Sequence, residues 1–170
     1  MRVRKAFLPD AHSIHEIIGE YSRPGILIPR TIAEICENIR DFSIVEDDDG
    51  TMLGCGALHL YGLHLAEIRS IAVPPRFKGR GAGRALIESL VAEAEEHKAT
   101  CVCLFTLVPE FFAHLGFKPV DKKELPDKLY KDCYCCPKLD CCDEVAMYRG
   151  ELPGFAILAP PDKNLVIISL

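Results

Sequence analysis

The stretch Lys78-Gly79-Arg80-Gly81-Ala82-Gly83-Arg84 constrains this chain more than any other. It follows an extended run at residues 65–73 that is stopped by Pro74-Pro75. It precedes Leu86, Ile87, Leu90, Val91 and Ala94, which recur at helical spacing. A strand must therefore pass into a helix across three glycines in five residues. Glycine enters the left-handed backbone region at no steric cost, so such a turn bares its amides, and the helix adds the unpaired amides of its first turn. With Lys78, Arg80 and Arg84 alongside, the junction has the makings of a pyrophosphate site. Two nucleotide fingerprints do not fit it. A phosphate-binding loop of the Gly-Lys-Ser/Thr type is absent, and Gly79-x-Gly81-x-Gly83 is not G-x-G-x-x-G. The plainer alternative is a glycine-rich turn that binds nothing; the flanking cations weigh against it.

The rest of the chain alternates helix and strand. Asp10 is expected to cap a helix carrying Ile14, Ile17 and Ile18. Thr31 and Glu34 form a capping box ahead of Ile32, Ile35, Cys36 and Ile39. Residues 42–46 and 52–60 read as a hairpin around Asp47-Asp48-Asp49-Gly50. A short buried strand follows at 101–106, a short helix at 109–115, a helical turn at 126–130 and a strand at 145–148. Two further apolar runs, 155–159 and 165–168, close the sequence. No repeat and no Gly, Ser or Pro linker divides the 170 residues, and 49% hydrophobic content supplies a core, so a single α/β domain is expected. Twenty-five acidic against 20 basic residues argue against a nucleic-acid partner. The basic opening lacks the apolar stretch of a signal peptide, and no apolar run approaches a membrane span. Four of the nine cysteines (Cys36, Cys55, Cys101, Cys103) lie in patterned segments, where thiols behave as small hydrophobes; a reducing, cytoplasmic setting is expected.

The order of motifs is distinctive. Ile71-Ala72-Val73-Pro74, then Lys78 to Leu86 through the glycines, then a strand, then Phe112-x-x-Leu115-Gly116-Phe117, resembles the GNAT superfamily of N-acetyltransferases over roughly residues 3–149. The resemblance implies the acyl-CoA N-acyltransferase fold, a mixed central sheet flanked by helices, with acetyl-CoA as cosubstrate. It carries the pyrophosphate role onto Lys78, Gly79, Arg80, Gly81, Ala82, Gly83 and Arg84, and amide donation to the pantetheine and acetyl carbonyl onto Ile71, Ala72 and Val73. Lys78 stands where Gln or Arg is usual, and a cation there still suits a phosphate. Within the superfamily, the run from Gly25 to Thr31, the strand from Glu67 to Val73, and Gly116-Phe117-x-x-Val120-Asp121 look like the acetyltransferase domain of N-acetylglutamate synthases, in a stand-alone form. Residues 150–170 lie outside the resemblance and are expected to extend the domain as an edge strand or a homodimer contact.

An α-amino group, with a reference pKa of roughly 8, must lose a proton before it can attack a thioester. Glu67 is the candidate base, with an edge carboxylate paired to Arg69 as the alternative; strand alternation puts Glu67, Arg69 and Ile71 on one face unless a bulge resets the register. A dicarboxylic acceptor calls for guanidinium forks, and Arg30 and Arg69 are the candidates. Phe112 occupies the position at which many family members carry a tyrosine acid, so water, Tyr130 or another group protonates the leaving thiolate, or it leaves unassisted. Other amines, or an acetyl-CoA sensor without turnover, are the competing functions. The histidines show no ligand spacing; His59 and His64 flank the run at 65–73, which puts them within approach of the amine, but they read first as core or surface residues. Five cysteines fall between Cys133 and Cys142. Cys133, Cys136, Cys141 and Cys142 approximate a metal knuckle, but the second pair is adjacent, so no metal is assigned; free thiols or disulfides stapling a loop fit better.

Overall fold

A computed structural model of the protein describes residues 1–136 and 138–157. The elements run β1 (Arg2–Lys5), α1 (Ala11–Ser22), α2 (Ile32–Glu37), β2 (Phe42–Glu46), β3 (Met52–Leu60), β4 (Ala66–Ala72), α3 (Ala82–Glu96), β5 (Cys101–Thr106), α4 (Pro109–Ala113), β6 (Lys118–Pro119), α5 (Pro126–Lys131) and β7 (Val145–Gly150). The strands form one mixed sheet in the order β1-β2-β3-β4-β5-β7-β6, as expected for this α/β class. Its single parallel ladder among the registered pairs joins β4 to β5 through Ala66↔Val102 and Glu67↔Cys103. The apolar runs expected at 155–159 and 165–168 lie partly and wholly outside the described residues, and no described helix is long and apolar enough to cross a membrane.

The chain divides into two units, one of residues 1–59 with 68–94 and one of 60–67 with 95–170. In the first, Ile14, Ile17 and Ile18 of α1 and Ile35 of α2 bury against Phe42, Ile44, Cys55 and Ala57 of the β2–β3 hairpin. Ala82 and Leu86 of α3 bury with Val45 and Leu53. The hairpin turn is built as its acidic residues suggest: Asp47 accepts from the amides of Asp49 and Thr51, and Gly50 takes φ 79°. The capping box of α2 is formed, with Thr31 and Glu34 accepting each other's amide protons. In the second unit, Tyr61, Leu65, Cys101, Cys103, Leu125 and Ala146 form the core.

Four details differ from the sequence reading. The strand β1 was not anticipated: its Arg-Val-Arg-Lys lacks apolar alternation, but it pairs with β2, where Arg2 and Arg4 both reach Glu46. Asp10 precedes α1 without capping it, because Arg4 and the Phe7 amide take its carboxylate. The helix α2 stops at Glu37, leaving Ile39 in a 3₁₀ turn. And β4 does not alternate throughout, since Ser70 sits at φ 55°, in the left-handed region.

Candidate active site

The glycine loop adopts the conformation its composition demands. Gly79 and Gly81 have φ of 80° and 85°, and a Cβ at either would meet nothing closer than the Met1 side chain at 4.0 Å from Gly81. Glycine is required there by backbone conformation, not by crowding. The Gly81 carbonyl accepts from the Ala85 amide at 3.0 Å, which starts α3. The first-turn amides ahead of Ala85 therefore have no intrahelical partner, and they point along the positive end of a 15-residue helix. Lys78 lies 5.7 Å over the Tyr21 ring and Arg80 lies 5.4 Å over Phe77; neither makes a salt bridge among the described residues. Arg84 pairs loosely with Glu88 at 3.4 Å. Exposed cations, bared amides and a helix N-terminus converge on one loop, which fits a diphosphate.

Just upstream, the Tyr21 hydroxyl donates to the Val73 carbonyl, tying α1 to the end of the strand that carries Ile71, Ala72 and Val73. A Cβ on Gly54 would meet the Ala72 carbonyl at 2.7 Å, so β3 approaches this segment as closely as backbone allows.

Arg30 and Arg69, distant in sequence, line one small pocket that opens to solvent. Its other walls include Glu34, Asn38, Asp41 and Ser70. The left-handed turn at Ser70 matters here, since it lets two successive residues, Arg69 and Ser70, face the same space. Neither cavity carboxylate is uncommitted. Glu34 accepts from the Thr31 amide and hydroxyl at 2.7 and 2.9 Å, and these bonds, with the Arg30 charge, hold it below the ordinary glutamate range. Asp41 accepts from His59 Nδ1 at 2.8 Å and lies 3.9 Å from Arg69. Asp41 was missed from sequence. It sits in an undistinguished turn, and only the β2–β3 register, with Phe42↔Ala57, brings it near His59.

Glu67 stands elsewhere. It is 2% exposed; its carboxylate accepts from Lys128 Nζ at 2.7 Å and from the Tyr61 hydroxyl at 2.8 Å. Lys128 and Tyr61 both also reach Asp132, at 3.0 and 2.5 Å, closing a four-membered ring. Burial alone would strip Lys128 of its charge, but Glu67 and Asp132 outweigh it and raise its pKa. The Tyr61 hydroxyl is driven far above its ordinary range, by burial first and then by the two carboxylates. A proton taken up by Glu67 would leave Lys128 with Asp132 as its one remaining carboxylate among these contacts. Phe112 is buried edge-on between Phe111 and Phe117 and offers no proton.

All nine cysteines are free thiols, and among the described residues no three His, Cys, Asp or Glu side chains gather as a metal set. Within the five-cysteine segment, Cys142 Sγ lies 3.0 Å from Lys122 Nζ, and the Lys138 amide donates to Cys136 Sγ at 3.4 Å.

The profile of the Acetyltransferase (GNAT) family matches residues 11–117. The chain is 42% identical to an N-acetyltransferase of Chlorobaculum tepidum over 86% of its own length and 94% of that protein's. It is 33% identical to the amino-acid acetyltransferase of Mycobacterium tuberculosis, covering 70% of this chain and 69% of that one. Among solved structures it resembles the N-acetylglutamate synthase of Neisseria gonorrhoeae complexed with coenzyme A and N-acetyl-glutamate, at 27% identity and a TM-score of 0.78, over 88% of this chain and 34% of that one.

Proposed function

The chain belongs to the acetyltransferase (GNAT) family, and from that membership we propose that it transfers the acetyl group of acetyl-CoA to the α-amino group of L-glutamate, the first step of arginine biosynthesis. The observation that carries the choice of acceptor is the pairing of Arg30 and Arg69 in one open cavity. Two guanidinium groups on the walls of one pocket suit an acceptor with two carboxylates. A polyamine would want the opposite charge. The amino-acid acetyltransferases and the glutamate-acetylating synthase among the relatives support the same acceptor class.

Acetyl-CoA supplies the activated acyl group; the amine lone pair attacks the thioester carbon directly, forming C–N as C–S breaks. The chain's own residues do the rest. Amides from Gly79 to Arg84 and the Lys78 and Arg80 side chains hold the pyrophosphate. Amides of Ile71, Ala72 and Val73 donate to the acyl oxygen as it gains negative charge, the largest electrostatic contribution in acyl transfer. Arg30 and Arg69 fix the two carboxylates of the acceptor and so aim its amine.

The test is thiol release from acetyl-CoA against a panel of amino acids, amino sugars, polyamines and peptide N-termini. Turnover with glutamate at least tenfold above every other acceptor is expected. Preference for a polyamine or peptide would overturn the acceptor assignment, and tight acetyl-CoA binding with no turnover on any acceptor would make the protein a sensor.

A further inference from the structure

An amino acid with a side-chain carboxylate brings three charges to its site, two carboxylates and one ammonium. Arg30 and Arg69 answer the carboxylates, and the same pocket carries two acidic groups on its wall, Glu34 and Asp41. Glu34 is the reciprocal cap of α2, and one of its oxygens already accepts from both the amide and the hydroxyl of Thr31. Asp41 is held differently. Its amide donates to the Asn38 carbonyl at 2.9 Å and its own carbonyl accepts from Lys5 Nζ at 3.4 Å, which fixes the backbone in the turn before β2. The contacts of its carboxylate fall on one oxygen, Oδ2, with His59 Nδ1 at 2.8 Å and Arg69 Nη2 at 3.9 Å. Among the described residues, Oδ1 accepts no hydrogen bond.

We propose that Asp41 receives the ammonium of the acceptor, beside the carboxylate held by Arg69, and so selects an α-amino acid over a plain dicarboxylate. The proposal rests on the amino-acid reading of the pocket given above. An α-amino acid bears its ammonium and a carboxylate on one carbon, so the groups that bind them must be neighbours, as Asp41 and Arg69 are. An ionised carboxylate has about four lone-pair sites, so the contact with His59 leaves room for another donor. A bond from an ammonium to a carboxylate is charge-assisted and among the stronger ones. It also outlasts loss of the proton. A neutral amine keeps two N–H bonds, and one of them held on Asp41 limits where the lone pair points. A dicarboxylate without the amine meets Asp41 as a like charge, so one residue attracts the right ligand and repels the wrong one.

The experiment is calorimetric titration of the full chain at saturating coenzyme A, which has no acyl group to transfer. The ligands are glutamate and glutarate, its counterpart without the amine, and the proteins are the wild type, Asp41→Asn, Arg69→Ala and Glu34→Gln. The wild type is expected to bind glutamate about 10–100-fold more tightly than glutarate, as one charge-assisted contact allows. Asp41→Asn should lose most of that ratio by weakening glutamate alone, with glutarate unchanged or tighter. Arg69→Ala should weaken both ligands, since both carry the carboxylate. An Asp41→Asn protein weakened equally toward the two ligands has lost a structural group, and that result overturns the proposal. A ratio kept in Asp41→Asn and lost in Glu34→Gln overturns it as well. If Asp41→Asn fails to fold, the wild type decides, because equal affinities for glutamate and glutarate overturn the proposal without any variant. If the wild type acetylates another α-amino acid in place of glutamate, the acceptor reading fails separately, and that amino acid with its deaminated acid decides the role of Asp41. If it binds no α-amino acid, both fall.

Discussion

Two clusters in this protein use the same kinds of side chain to opposite ends. The cluster of Arg30, Asp41 and Arg69 lines a pocket that opens to solvent, with Arg69 at 3.9 Å from Asp41. The ring of Tyr61, Glu67, Lys128 and Asp132 is closed, with contacts of 2.5–3.0 Å, and Glu67 is almost wholly buried. Ionic groups that satisfy one another hold structure together. Those on the wall of a solvent-open pocket can meet a ligand. The strand β4 contributes to both, through Glu67 and through Arg69, and the left-handed Ser70 accompanies the change. A charged residue in a strand is therefore not read by type; its partners decide its role.

The comparison breaks if the ring proves dispensable to folding. Lys128→Met leaves Glu67 buried without its cation and should cost about 3–5 kcal/mol of stability by urea or thermal unfolding. Adding Glu67→Gln in the same chain should recover part of that loss, because the stranded charge is then gone. A Lys128→Met protein as stable as the parent would show the ring to be less closed than its distances imply. Arg69→Ala is the mirror experiment. It should leave the melting temperature within a few degrees of the parent and raise KM for glutamate on the order of 10–100-fold, as expected for one charge-assisted hydrogen-bonded contact of about 1.5–3 kcal/mol. KM for acetyl-CoA should not move. Equal rises in both constants would remove Arg69 from the acceptor site.

What could be seen in the sequence was local, and what could not be seen was set by distant pairing. The loop from Lys78 to Arg84, the hairpin around Gly50 and the Thr31–Glu34 box each write their conformation within a few residues, and each formed as read. Arg30 and Arg69 were chosen for their chemistry, and the fold brings them to one cavity. Asp10 has the right type and place for a helix cap, yet Arg4 on an unforeseen edge strand takes it. Nothing near Glu67 in sequence betrays its contact with Lys128, or that of Lys128 with Asp132. The His59–Asp41 pair needs the β2–β3 register to exist at all. Strand alternation failed at Ser70, where one left-handed residue in β4 redirects its neighbours, a conformation that serine's identity does not announce.

The smallest expected effect separates the two ends of the chain by the sign of their response to acid. Near β1, hydrogen bonds from Arg4 hold Asp10 below its ordinary range, and those from Arg2 and then Arg4 do the same for Glu46. A carboxyl with a depressed folded pKa binds fewer protons folded than unfolded. Its stabilisation is thus complete above the ordinary carboxylate range, about 3.9–4.3, and drains as pH falls through the lower folded value. Beside the cysteine segment, burial raises the Glu144 carboxyl. A raised carboxyl favours the folded state below its unfolded value, and that contribution is lost as pH climbs through the folded one. Urea unfolding between pH 3 and 7 should show Asp10→Asn flattening the acid limb, because the group that the limb titrates is absent. Glu144→Gln should do the reverse, gaining stability relative to the parent at neutral pH and losing that gain in acid. A Glu144→Gln difference that is constant across this range would mean the carboxyl is solvated, and the segment around Cys142 more open than its contacts with Lys122 indicate.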